Sequence, residues 1–361
     1  MCPLYMKSPT LPLAAAAVAA FTLVSNLQAQ PLVTIETVTV GDAGNAADTT
    51  GFGAVASEFA IGKYEVTIGQ YTTFLNSAAS VTSDSYIVNL WSTNMTTNLN
   101  IAGISRSGAG TFASPYSYSV IGSGNRPITY VNWFDAARFA NWINNGATNG
   151  ASTETGAYTL NGATNGIITT NAGATWYLPS EDQWYKAAYY KGGGTNAGYW
   201  ASPTQSDTAP GNMIGGATNQ ANYFNGVYSV TQSSSLNTAQ NYLTDAGAFS
   251  NSASAYGTFD QGGNVGEWND AVIGSSRGVR GGAWNFTAIY MQPIIRGSSF
   301  PTDESRNVGF RMASVPEPST AVLVLIGAGA LYFWKRRKKF SAEFDGRIDQ
   351  ARRAFGSGQV V

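Results

Sequence analysis

A chain of 361 residues with no histidine, and with its single cysteine at Cys2, has no set of side chains for zinc or histidine-bound iron and no Ser/His/Asp or Cys/His nucleophile. Charged residues make up 11% against an ordinary share of about 25%, so Gly, Asn, Ser and Thr dominate, as on exported proteins. Residues 30–315 hold 17 Asp and Glu against 11 Lys and Arg, six net negative charges, which excludes a nucleic-acid footprint and leaves hard-cation binding or carboxylate chemistry.

At the N-terminus, Lys7 precedes an apolar run over residues 11–24, and Ala29 offers a small residue for cleavage. Residues 1–29 therefore read as a secretory signal, with a retained anchor as the alternative. A strand is expected over residues 59–65. Thr67 with Gln70 forms a capping box ahead of Tyr71, Phe74 and Leu75; Asn132 with Asp135 opens a helix whose Ala136, Phe139, Ala140 and Ile143 share one face. Between that helix and a third, opened by Ser180 with Gln183, lies a Gly/Asn/Thr-rich excursion over residues 144–173. In it GATNG occurs at 146 and again at 162, bracketing an expected short strand over 157–160, a pattern suited to hairpin turns.

At the C-terminal end, Val315, Pro316, Glu317, Pro318 and Ser319 lead into an apolar stretch, 320–334, followed by the five cations 335–339 and a tail, 340–361. Fifteen residues at about 1.5 Å each reach about 22 Å, short of a hydrocarbon core of about 30 Å. With help from flanking residues the stretch is expected to form a transmembrane segment, its cationic end and tail cytoplasmic and the large domain outside. This tripartite arrangement resembles the PEP-CTERM sorting signal of Gram-negative bacteria, which implies an exosortase as partner. The expected location is the cell envelope or extracellular surface, with the inner membrane as anchor.

Six blocks in order, GKYEVTIGQYTTFLN (62–76), RPITYVNWFDAARFANWIN (126–144), WYLPSEDQWYKAAY (176–189), GGNVGEW (262–268), RGGAW (280–284) and VGFR (308–311), resemble the formylglycine-generating enzyme family, the sulfatase-modifying factors. The resemblance covers residues 32–314. It implies one α+β domain of C-type-lectin-like, sulfatase-modifying-factor fold with much irregular loop structure. Enzymes of that family bind copper through two cysteines five positions apart, upstream of an arginine matched by Arg296. Those positions fall on Ala288 and Pro293, with Met291 between them. A copper site is therefore not expected, since one thioether does not replace two thiolates.

The family also holds a structural calcium, and the resemblance places its ligands at the side chain of Asp260, the carbonyls of Gly263 and Val265, and the carboxylate of Glu267. These supply about half the oxygens that calcium takes. Gly266 stands where the family has tryptophan, which implies thinner packing there. A second family calcium site would begin at Asn222 and Tyr223 but lacks a carboxylate on its far side.

Trp133, Trp142, Trp176, Trp184, Trp268 and Trp284 read as core rather than as a sugar-stacking surface. Glu65, Asp135, Glu181 and Asp182 lie in or near helix N-terminal turns, where they read as macrodipole or capping acids. Arg280, Arg296 and Arg311 read as partners of buried carboxylates. The functional expectation is an exported, non-catalytic binding module with a surface polysaccharide or protein as ligand. The alternative is a formylglycine-generating oxidoreductase with an unrecognised copper site. A carboxylate glycosidase would need two acids about 5–9.5 Å apart in a cleft.

Overall fold

The computed structural model describes residues 30–79 and 87–316, together with residues 332–334, 336–338, 340, 343–351 and 353. The expected signal at 1–29 lies outside the described residues. The chain divides into two units, Met1–Val315 and Pro316–Val361.

In the first unit, β1 (Thr37–Val40) pairs antiparallel with β2 (Phe59–Gly62), whose four residues are all buried. Helix α1 spans Ile68–Ala79, and a short α2 spans Asn94–Thr97. Strands β3 (Ile104–Ser107) and β4 (Ser117–Val120) form a hairpin. Then come α3 (Trp133–Asn144), β5 (Trp176–Tyr177) and α4 (Glu181–Tyr189). The last part holds β6 (Gly266–Ile273), β7 (Ser276–Arg280), a 3-10 turn over Ala288–Met291, β8 (Gly297–Ser299), β9 (Val308–Phe310) and β10 (Ala313–Ser314). One sheet runs β1-β2-β10-β5, and another runs β8-β7-β6-β9, with β6 and β9 parallel. The two ends of the unit meet where β10 pairs with β2. This is an α+β fold with irregular connections.

All three capping boxes form. Thr67 N–H donates to Gln70 Oε1 at 2.9 Å and Gln70 N–H to Thr67 Oγ1 at 3.3 Å; the Asn132/Asp135 and Ser180/Gln183 pairs bond reciprocally in the same way. These bonds satisfy backbone donors that a helix start leaves open.

Helix α3 is the centre of the core. Trp133, Phe134, Phe139 and Trp142 are each no more than 1% exposed. Phe139 packs edge-on to Phe74 from α1 and to Phe310 from β9. A helix buried on nearly every side must still satisfy its polar residues. Arg138 donates to Glu154 at 2.7 Å, Asn141 bonds the backbone at Thr153 and Tyr158, and Asn145 bonds Ser152 and Thr155. Arg138, Asn141 and Asn145 lie on one side of the helix, so they tie the excursion down by side chains rather than by a ladder. The strand expected at 157–160 is accordingly reduced to one bridge, Tyr158 to Thr170, and the strand expected at 59–65 ends at Gly62. The GATNG copies do form turns, with Gly146, Ala147 and Gly150 in the first and Gly162 and Gly166 in the second at positive φ.

The second unit is described only in part, as helical residues between 332 and 353, where Arg336 lies over the Tyr332 ring at 5.4 Å and Lys338 over Trp334 at 4.1 Å. No helix among the described residues is long and apolar enough to cross a membrane. The transmembrane segment expected at 320–334, and the inner-membrane anchor and cytoplasmic tail built on it, are corrected on that finding. Residues 320–331 lie outside the described residues, and the helical residues beyond them soon carry Arg336, Arg337 and Lys338, whose charges do not belong in hydrocarbon.

Candidate functional site

Two buried ion-pair centres and one irregular loop occupy the region to which the sequence motifs point. The first centre is built on the turn from Asp260 to Glu267. Asp260, Gly263 and Asn264 all take positive φ, at 60°, 84° and 55°. Glycine is required at 263, because a Cβ there would stand 2.3 Å from the Asn222 carbonyl oxygen. Asn264, fully buried, holds the turn. Its Oδ1 accepts from Thr244 N–H at 3.1 Å and from Asn222 Nδ2 at 3.0 Å, while its Nδ2 donates to Glu65 Oε1 at 3.3 Å.

Glu267, also fully buried, is engaged on both oxygens. Arg311 Nε donates to Oε2 at 2.5 Å and Nη2 to Oε1 at 2.6 Å, and Trp184 Nε1 adds 2.7 Å to Oε2. The remaining guanidinium donors reach the carbonyls of Gly62 and Phe259, both at 2.9 Å. Asp260 Oδ2 accepts from Gly247 N–H at 2.6 Å. Burial pushes the Asp260 carboxyl up to about 6, against the opposing pull of the Gly247 amide and Arg311. Burial, then the neighbouring Asp260 charge, holds Glu65 well above the usual carboxylate range.

For calcium, the fit is partial. Asp260, Gly263 and Val265 fall in one turn that presents hard oxygen donors of the right kind. Glu267 would have to give up Arg311 and Trp184 to serve as a ligand. Among the described residues, no group of three or more acidic side chains is arranged to hold a metal ion. Asn222, the expected start of a second site, spends its amide on Tyr242 O, Thr244 Oγ1 and Asn264 Oδ1.

The second centre is Glu181 at the start of α4. Arg280 Nε donates to its Oε1 at 2.8 Å, and Arg296 donates to both oxygens at 2.7–3.0 Å. The three arginines thus pair with carboxylates as expected. Glu181 lies in the first turn of α4, as expected of a helix-start acid, and is in addition the shared anion of two guanidinium groups. Five of the six tryptophans are core, and Trp176 is half-buried.

Ala288 begins the 3-10 turn, Met291 is buried with its carbonyl bonded by Tyr189 OH, and the Pro293 carbonyl accepts from Arg280 Nη1 at 3.1 Å. Beside these positions lie two small hollows, one of about 60 Å³ at Ala288 and Met291 and an apolar slot of about 70 Å³ against Gly266. The slot lies against Gly266, the position at which the resemblance places a tryptophan. On the outer side of the same loop, Phe286, Ile289, Tyr290, Ile294 and Phe300 are exposed, with the Phe286 and Tyr290 rings 4.7 Å apart.

The sequence reading missed Glu65 as a member of the first centre and Trp184 as a donor to it. Glu65 sits two residues before the Thr67 cap, and nothing in local spacing separates a capping acid from a core acid there. A larger cleft of about 550 Å³ opens where Tyr64, Glu65, Gln70, Asn125 and Ala246 form walls.

Residues 32–315 match the Sulfatase-modifying factor enzyme 1-like domain, and residues 314–338 match the PEP-CTERM protein-sorting motif. Among solved structures, CarF is 18% identical, with 79% of this chain and 100% of that chain covered and a TM-score of 0.45. Variable protein 1 of Treponema denticola is 19% identical, covering 79% and 96% with a TM-score of 0.44, and PvdO from Pseudomonas aeruginosa is 16% identical, covering 79% and 93% with a TM-score of 0.40. A search of curated proteins finds no match to the chain. With the family pattern matched over 32–315, the sorting motif directly after it and no cysteine at Ala288, Pro293 or anywhere else in the domain, the chain is an exported member of the sulfatase-modifying factor family that lacks the family's catalytic cysteine pair.

Proposed function

We propose that this protein is a non-catalytic binding module, sorted to the outside of a Gram-negative cell through an exosortase, and that its ligand is a neutral extracellular polysaccharide. The observation that carries this reading is the loop from Phe286 to Phe300. Where the family's enzymes place thiolates, this chain has Ala288 and Pro293, and the loop turns aromatic and aliphatic side chains outward instead. Exposed rings such as Phe286 and Tyr290 present flat apolar faces, which suit the C–H faces of a pyranose, while most other aromatics are spent on the core. Six net negative charges on the domain disfavour a polyanion.

The scaffold belongs to this proposal in its finer form: a signal over 1–29, a domain over 32–314 of C-type-lectin-like class, a sorting segment over 315–339 and a tail over 340–361. A calcium ion at the turn of Asp260, Gly263 and Val265, with Glu267 in the same network, stabilises the loops. Family membership and the oxygen donors of that turn support both. The test is affinity electrophoresis of the protein in gels containing the producing cell's own neutral polysaccharide. Retardation that Phe286→Ala and Tyr290→Ala each weaken supports the reading, and undiminished retardation in both variants refutes it.

A further inference from the structure

The apolar slot against Gly266 stays open because glycines line it. A Cβ on Gly266 would stand 3.1 Å from Val279 Cγ1, and one on Gly282 would stand 3.2 Å from Met291 Cγ and 3.3 Å from Tyr290 Cβ. A side chain at either position would crowd the space of about 70 Å³ walled by β6, β7 and the loop after β7. Phe286 and Tyr290 belong to this slot and to the surface at once, being 37% and 47% exposed, with ring planes tilted by 37°. A molecule resting on those rings from outside can therefore send a substituent inward. Arg280 also lines the slot, but its donors are spent on Glu181 and on the Pro293 and Ile295 carbonyls, which leaves no uncommitted cation there. Asn307 adds an uncharged polar group: its Nδ2 donates to Asn285 Oδ1 at 3.2 Å, and its Oδ1 makes no hydrogen bond among the described residues.

We infer that the slot receives the acetamido group of an N-acetylated sugar whose ring rests on Phe286 and Tyr290. This builds on the polysaccharide reading given above and narrows its ligand to a neutral glycan bearing acetamido groups. Size decides for such a group. An apolar cavity of about 150 Å³ takes a benzene ring, so about half that volume takes a methyl and its carbonyl but no second sugar ring. Polarity agrees with size, because apolar walls suit the methyl while Asn307 Oδ1 is an acceptor for the amide N–H. An O-acetyl ester has no such donor, and a bare hydroxyl would leave the apolar walls unfilled. A carboxylate substituent would enter a low-dielectric site with no free cation to meet it, which is costly.

The experiment titrates the purified full-length protein with triacetylchitotriose and with cellotriose, followed by saturation-transfer NMR. The two trisaccharides share one β-linked glucan backbone and differ in carrying an acetamido group or a hydroxyl on each ring. Triacetylchitotriose should bind about tenfold more tightly or better, the scale on which an apolar pocket discriminates one small group. Its acetyl methyl protons should receive the strongest transfer. Gly266→Ala, which places a methyl in the slot, should bring both sugars to the same weak affinity. Asn307→Ala should weaken triacetylchitotriose alone, by about fivefold, through loss of one hydrogen bond; it decides the matter if Gly266→Ala fails to fold. Equal affinity of the wild type for the two sugars, or no binding of triacetylchitotriose, overturns the acetamido assignment. So does a wild-type preference that persists undiminished in the variants that fold. Retardation by the producing cell's own polysaccharide, measured on the same preparation, shows separately whether the broader reading stands when this one fails.

Discussion

Arg311→Met is the most informative single perturbation of the core. Methionine keeps the reach and apolar stem of arginine but deletes its charge and donors, leaving Glu267 with Trp184 alone and the Gly62 and Phe259 carbonyls without their side-chain donor. Glu267 and Arg311 both have fully buried side chains. Removing one partner of such a pair costs about 3–5 kcal/mol, because the other charge stays buried without compensation. At about 2–4 °C per kcal/mol in a large domain, the melting temperature should fall by about 10 °C. Lys63→Met, which breaks the exposed Glu36 pair with side chains 28% and 62% exposed, is the matched control; exposed pairs of this kind contribute less than about 1 kcal/mol. Differential scanning calorimetry of both variants beside the wild type measures the contrast. The double variant Arg311→Met with Glu267→Met should recover much of the loss, since no uncompensated charge remains. Equal, small shifts for Arg311→Met and Lys63→Met would refute the description of this centre as the electrostatic keystone of the domain.

Asn132→Ala should cost about 1 kcal/mol in urea unfolding, through loss of the side-chain bond to Asp135 N–H at 3.0 Å. Burial, opposed by the Asn132 amide, pushes the Asp135 carboxyl up to about 8. The folded state therefore keeps a proton that the unfolded chain releases near pH 4, and the stability contributed by this group is complete below about pH 4 and is lost as pH rises towards 8. Asp135→Asn, which keeps an acceptor for Asn132 N–H, should flatten the fall in stability over that window, as read from urea midpoints at pH 5 and pH 8; an unchanged slope would count against the buried-acid assignment. Gly263→Ala should destabilise strongly, since the residue has φ of 84° and an added Cβ lies 2.3 Å from Asn222 O. A neutral result in thermal melting would mean that the turn relaxes.

Local chemistry was legible in the sequence, whereas the identity of long-range partners was not. The capping boxes at Thr67, Asn132 and Ser180 announce three helices because cap and partner lie within one turn of each other. The strands gave less away: β5 and β10 are two residues each, and their pairing is fixed by the meeting of chain segments far apart. Residues 157–160 alternate like a strand, yet the segment is held by Asn141, so the ladder shrinks to one bridge. Glu65 illustrates the limit best. Its position before Thr67 fits a helix-start acid, whereas its bond to Asn264 spans 199 residues and places it in the core. Glu181 sits in a helix first turn as expected, but its partners Arg280 and Arg296, lying 99 and 115 residues on, leave no local signal.

The apolar stretch near the C-terminus shows the converse error. Composition suggested a span, although its length already fell short of a hydrocarbon core, and no described helix is long and apolar enough to cross a membrane. The PEP-CTERM match over residues 314–338 supports sorting independently of a span.

The central claim is that the family's scaffold here carries no formylglycine-generating chemistry. Its most direct test is to incubate the purified protein with a cysteine-containing sulfatase-motif peptide, copper and oxygen, and to follow the peptide by mass spectrometry beside a metal-only blank. With Ala288 and Pro293 in place of thiolates, and proline fixing φ and removing a backbone donor, the peptide should remain unmodified and the protein should bind no copper at equimolar metal. Aldehyde product above the blank would contradict the claim.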